Sequence, residues 1–169
     1  MHAVSEPGGE TGQEGDALVT ALPEALLVAF SADCALVAFG SPEGVAGVAH
    51  AGWRGLQAGV IGNTVAEMRE LGASRIVAWR GACIGTCCYE FDTDGIEEVS
   101  EAVGADLAAV TRDGGPALDL GLGVRVALEK AQAELTGEEP ECTGCAGDWF
   151  SWRARQDKGR LMVGVWVEG

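Results

Sequence analysis

The sequence predicts an α+β domain in which mixed sheets are flanked by helices. Three observations carry that expectation. Short, almost wholly apolar runs separated by turn residues crowd the first fifty positions, the pattern of strands covered on both faces. A helical period runs through the middle of the chain. Strand-like and helix-like stretches then follow one another without the regular alternation of a parallel α/β chain. At 169 residues and 47% apolar, the chain suits one domain with a proper core.

Residues 1–15, polar and Gly-rich from Ser5 onward, are expected to form a flexible N-terminal segment, with a single domain over 16–169. Within it, 16–20, 25–30, 35–39 and 45–49 read as strands, the last two joined by a turn over 40–44 that contains Gly40, Pro42 and Gly44. From 53 to 71, Trp53, Leu56, Val60, Ile61, Thr64, Val65, Met68 and Leu71 fall on one stripe of a helix, and Gly72 stops it. A strand follows at 75–79, a turn-rich stretch at 81–89 and a helix at 93–103. A helix over 118–135 carries Val124, Leu128, Ala131 and Leu135 on one side, and 161–167 reads as the last strand.

Charge narrows the function classes. There are 26 Asp and Glu against 11 Lys and Arg, a net charge of −15. Such a surface repels nucleic acid and anionic membranes, so neither is expected as a partner, and an anionic substrate would need a local cluster of cations. No apolar run approaches the roughly 20 residues that cross a bilayer. The N-terminal stretch lacks the basic and apolar regions of a secretory signal, which predicts a cytoplasmic location. The six cysteines are then expected reduced, as ligands, nucleophiles or small buried residues.

The chain has only two histidines, His2 and His50, and one tyrosine, Tyr89. Cys34 precedes a strand and His50 ends the next one. A five-residue turn centred on Pro42 would set position 34 directly opposite position 50, with both side chains on one face. A turn shifted by one residue would put them on opposite faces of the sheet. A Cys–His pair supports Zn²⁺ or copper ligation, or nucleophilic attack by a thiol activated by imidazole. Simple packing of a core cysteine beside a hydrogen-bonded histidine is the third reading. Asp33 could orient His50, supply an oxygen ligand, or merely close a turn. Arg54, four residues after His50 at the start of the predicted helix, could hold an anion or lie free at the surface.

Three further stretches stand out. Cys83, Cys87 and Cys88 lie in a Gly/Cys-rich turn that suits ligation, redox work or tight packing. Cys142 and Cys145 form a single CxxC, where a zinc ribbon needs two such pairs. Phe150, Trp152 and Arg153 mix aromatic and basic groups that could stack on a flat ligand and bind an anion, or pack ordinarily.

Taken in order, DALVT (16–20), SADCALV (31–37), GVAHAGWRGLQAGVI (47–61), GACIGTCCYEF (81–91), ALDL (117–120), CTGC (142–145), WFSWRAR (149–155) and GRLMVGVWV (159–167) resemble the YfiH/laccase-domain family. Its members are also described as multicopper polyphenol oxidase-like proteins or as purine nucleoside phosphorylases. The resemblance covers nearly everything from residue 16 onward. It implies the α+β fold of the cytotoxic-necrotizing-factor-like cysteine hydrolases and a zinc site of His, Cys and His. The family's ADC cysteine maps onto Cys34 and its HAGWRG histidine onto His50. The family's first histidine lies in an upstream QVHG motif. His2 stands at a similar distance before Cys34, but the residues around it do not reproduce that motif. A second alignment sets HAVSEPGG just after the motif and leaves the first ligand out of this chain.

The activities the family implies are phosphorolysis of adenosine, inosine, guanosine or methylthioadenosine, adenosine deamination, copper-linked phenol oxidation, and hydrolytic editing of a peptidoglycan precursor. The first two would make a purine nucleoside and phosphate the partners. In that reading Cys34, His50 and Arg54 are catalytic and His2, Cys34 and His50 hold the metal. Asp33, Arg153, Trp152 and Phe150 touch the substrate. A domain inactive through truncation is the remaining alternative. A multicopper cluster needs many more imidazoles than two.

Overall fold

The computed structural model describes residues 2–5 and 14–169. Its main sheet is mixed and six-stranded, in the order β1-β2-β5-β4-β6-β9. The strands are β1 (His2–Val4), β2 (Ala17–Thr20), β4 (Ala35–Ser41), β5 (Val45–Ala51), β6 (Val77–Arg80) and β9 (Glu134–Glu138). β1 runs parallel to β2, and β6 parallel to β9; the other pairings are antiparallel. His2–Val4 therefore joins the sheet inside the stretch expected to be irregular, while residues 6–13 lie outside the described residues.

Both faces of the central strands are covered, which is why their sequences are apolar without alternation. Val19, Val37, Phe39 and Ala49 face the helices and are buried. On the opposite face Leu36, Ala46 and Val48 are buried beneath a two-stranded layer, β3 (Leu27–Ser31) paired with β10 (Leu161–Val165). Gly47 lies on the helix side. A Cβ there would meet Met68 Sδ at 3.1 Å, so the bare glycine lets the following helix sit close to the sheet.

The helices differ from expectation in two places. The predicted helix 53–71 is two helices, α1 (Trp53–Gln57) and α2 (Val60–Glu70). Gly59 between them takes a left-handed φ of 72°, which breaks the hydrogen-bond ladder while leaving the apolar stripe on one side. The second predicted helix, 118–135, overreaches at both ends. α4 covers Leu120–Lys130, Leu118 belongs to β8 (Pro116–Leu118), and Leu135 belongs to β9. Leu135 falls on the helical stripe by spacing, yet strand pairing claims it, as it claims Leu118. β8 pairs with β7 (Ala108–Val110) in a small hairpin that the sequence reading missed, as it missed α5 (Trp152–Arg155). α3 (Thr93–Val103) lies where predicted, with the Asp92 side chain accepting from Gly95 N–H and Gly104 left-handed at its end. Among the described residues, no helix is long and apolar enough to cross a membrane.

Candidate active site

The β4–β5 hairpin fixes the first pair of candidate residues. Its loop is Pro42–Gly44, with Ser41 paired to Val45, so the turn is centred one residue later than expected. His50 consequently pairs with Leu36 rather than Cys34, and Ala35 pairs with Ala51. Cys34 stands one step further, level with Gly52. Contrary to the expectation for a one-residue shift, moving the turn centre by one moves the pairing by two, so the residues pass from direct opposition to a diagonal and stay on one face. Their closeness shows at Gly52, where a Cβ would meet Cys34 Sγ at 2.9 Å and His50 Cε1 at 3.7 Å. Glycine there is a spatial requirement of the pair.

His50 is held from the other side. Its Nδ1 lies 2.9 Å from Asp16 Oδ1, and its backbone N–H donates to Asp16 O at 2.7 Å. The hydrogen bond to Cys34 raises the imidazole pKa to about 9; burial opposes the rise and Asp16 adds to it. With Nδ1 engaged by a carboxylate, Nε2 is the nitrogen left for Cys34 or for a metal, the arrangement in which a carboxylate fixes the tautomer of a ligating histidine. A cavity of about 280 Å³ opens beside the ring, lined by Asp16, Leu18, Val28, Phe30, Val48 and His50 among others. That is near the lower end of small-molecule pockets, about 300–1,000 Å³.

Asp33 does not orient His50. Its carboxylate is buried, accepting Thr143 Oγ1–H at 2.7 Å on one oxygen and Arg153 N–H at 2.7 Å on the other. With φ at 90°, it turns the chain just before Cys34 and ties that turn to the CxxC loop and to α5. The orienting carboxylate is Asp16, which the sequence reading passed over as a strand residue.

Arg54 is exposed and lies over the Trp53 ring, 4.3 Å from its centroid. The Arg153 guanidinium lies 5.1 Å from the Tyr89 ring and donates to Glu90 O at 3.0 Å. Trp53 and Tyr89 both meet Phe91 edge-on, at 5.5 and 5.4 Å, so the two arginines flank one aromatic cluster. Burial pushes the Tyr89 hydroxyl up to about 12; nearby Cys34 adds to the rise, and Arg153 and Arg54 oppose it. Tyr89 is thus a neighbour of the Cys34 region, marked in the sequence only by being the sole tyrosine.

The remaining candidates lie apart from the pair. Phe150 packs over Gly159, where a Cβ would clash with its ring. Trp152 is exposed at the start of α5, and neither aromatic lines the His50 cavity; Phe30 does. His2 Nε2 lies 2.7 Å from Glu14 O. Cys34 and His50 offer a thiolate and an imidazole suited to Zn²⁺ or copper. Among the described residues, no third ligand joins them at metal-site spacing.

The family model for multi-copper polyphenol oxidoreductase laccase matches residues 1–168. A purine nucleoside phosphorylase of Streptomyces coelicolor is 41% identical over 90% of this chain and 64% of its own length. One from Streptomyces griseus is 39% identical over 90% of this chain and 63% of its own. Among solved structures, YfiH of Bacillus licheniformis superposes with a TM-score of 0.78 at 28% identity, covering 90% of this chain and 61% of that one. YlmD of Geobacillus stearothermophilus gives a TM-score of 0.78 at 30% identity, covering 91% and 61%. The chain therefore spans somewhat less than two thirds of these relatives.

Proposed function

The chain belongs to the multi-copper polyphenol oxidoreductase laccase family, and we propose that within it this protein is a zinc-dependent purine nucleoside enzyme working at Cys34 and His50. The observation that carries the reading is the pairing itself: thiol and imidazole share one sheet face, with His50 lining a cavity and Asp16 fixing the ring. The relatives named purine nucleoside phosphorylase support the substrate class.

In the proposed reaction, phosphate attacks the ribose anomeric carbon, the bond to the purine nitrogen breaks, and the base leaves with a proton. Cys34 and His50 would be two of the ligands holding zinc, as thiolate and neutral imidazole. Zinc bound there would supply Lewis-acid polarisation of an oxygen. Phe30 offers an exposed apolar face to the base. Arg54 and Arg153 supply positive charge for phosphate on an otherwise acidic protein. Adenosine deamination at the same site is the companion activity. Copper-linked phenol oxidation is disfavoured by donor chemistry, since two histidines cannot furnish a multicopper cluster.

The test is release of free base from adenosine, inosine, guanosine and methylthioadenosine, with and without phosphate, and of inosine from adenosine. Phosphate-dependent release that disappears in Cys34→Ala is expected. Full activity in that variant would overturn the proposal.

The closeness of Cys34 Sγ and the His50 ring around Gly52 favours one second reading, a cysteine hydrolase related in fold to the cytotoxic-necrotizing-factor group. Alkylation-sensitive amide hydrolysis in metal-free protein would select it.

A further inference from the structure

A second cluster lies away from the proposed active site. Cys87, Cys88, Cys142 and Cys145 bring their four sulfurs within 4.8 Å of one another. Parallel pairing assembles them. β6 runs alongside β9 with Arg80 level with Glu138. A bridge between Cys83 and Cys142 prolongs the pairing, with Thr143 N–H donating to Cys83 O at 3.2 Å. The vicinal cysteines of one segment and the CxxC of the other are thereby carried to the same end.

We propose that these four cysteines bind one Zn²⁺ ion as thiolates in a structural site distinct from Cys34 and His50. A regular tetrahedron with Zn–S of about 2.3 Å sets its sulfurs about 3.8 Å apart. Cys145 Sγ lies 3.2 Å from Cys87 Sγ and 3.4 Å from Cys88 Sγ, a little under that spacing, and all four sulfurs stay within 4.8 Å of one another. One sulfur within 3.4 Å of two others suits a shared ion better than a single disulfide.

The surroundings are those of an anionic sulfur centre. Arg112 Nη2 donates to Cys88 Sγ at 2.9 Å and to Cys145 Sγ at 2.8 Å, and Gly85 N–H donates to Cys142 Sγ at 3.1 Å. Four thiolates on a divalent ion leave a net charge of −2, which the guanidinium partly offsets. The CxxC loop is folded as a knuckle, with Cys145 and Ala146 N–H both donating to Cys142 O at 3.0 Å. Gly144 is required there, because a Cβ would meet Cys88 Cβ at 2.7 Å. The loop between β9 and α5 carries no regular element, so a metal staple supplies what a small local core cannot. Four protein ligands close the coordination sphere, which makes the site structural rather than catalytic. Each thiol that ligates releases its proton to water.

The test uses full-length protein purified under reducing conditions, with zinc counted by elemental analysis in a Cys34→Ala/His50→Ala background. That background removes the proposed active-site metal, so failure of one proposal is distinguishable from failure of the other. About one zinc per chain is expected there, falling to background on adding Cys142→Ser and Cys145→Ser, and retained with Cys145→His, which preserves four donors. If the serine variants fail to fold, cobalt substitution of the otherwise unaltered background decides. Strong thiolate-to-cobalt charge transfer with a tetrahedral visible band is expected. Absence of both zinc and that spectrum, or a disulfide of Cys145 with Cys87 or Cys88 in freshly isolated protein, overturns the proposal.

Discussion

The Cys34–His50 pair and the four-cysteine cluster are assembled by opposite means. The first comes from a single hairpin, where neighbouring strands and a three-residue loop fix which side chains share a face. The second comes from two segments far apart in sequence, made neighbours by parallel strands. A hairpin site is robust to small register changes of even count, because parity survives them. A site built across a parallel pairing depends on the whole sheet closing in one way. Asp33 joins the two regions, its backbone beside Cys34 and its carboxylate bonded to Thr143 within the CxxC.

Breaking the first region alone should give the largest effect. His50→Ala is expected to lower purine release by at least about 10²-fold, as loss of a group central to the chemistry does, while the zinc of the cysteine cluster stays. Steady-state kinetics with elemental analysis checks both halves. Asp16→Asn should follow, costing about 10–100-fold in metal affinity or activity through a misoriented His50, measured by zinc competition with a chelator.

Gly52→Ala sharpens the comparison, since its added methyl would lie 2.9 Å from Cys34 Sγ and on no residue of the cluster. It should destabilise by about 1–3 kcal/mol and reduce activity without releasing the cluster's zinc. Asp33→Asn addresses the tie between the regions. Weakening two hydrogen bonds to a buried carboxylate should cost about 1–3 kcal/mol, read as a lower thermal midpoint together with easier zinc loss from the cluster. The smallest effect is expected from His2→Ala. His2 is bonded to the Glu14 carbonyl and joins no ligand group among the described residues, so zinc content should stay unchanged.

Much of this was legible in the sequence wherever the signal was local. α3 was readable because Asp92 caps its start and Gly104 ends it. The hairpin was readable because its turn residues lie between two apolar runs. The start of α4 was legible too, in Asp119, whose side chain accepts Leu122 N–H as an N-cap; the apolar Ala117 and Leu118 just before it obscured that signal. β7, β8 and β9 are short and carry little alternation, so nothing in their own residues distinguishes them from loop.

The sequence by itself determined that Cys34 and His50 could share a face, because strand parity is a property of spacing along the chain. It also marked Cys87, Cys88, Cys142 and Cys145 as two weak, separate signals. Only the tertiary structure decided that Asp16 rather than Asp33 holds His50, and that the two cysteine pairs are one group. The physical reason is that hydrogen-bond partners and metal ligands are chosen by distance in space. Distance between remote segments is set by the closed sheet and not by any local run of residues.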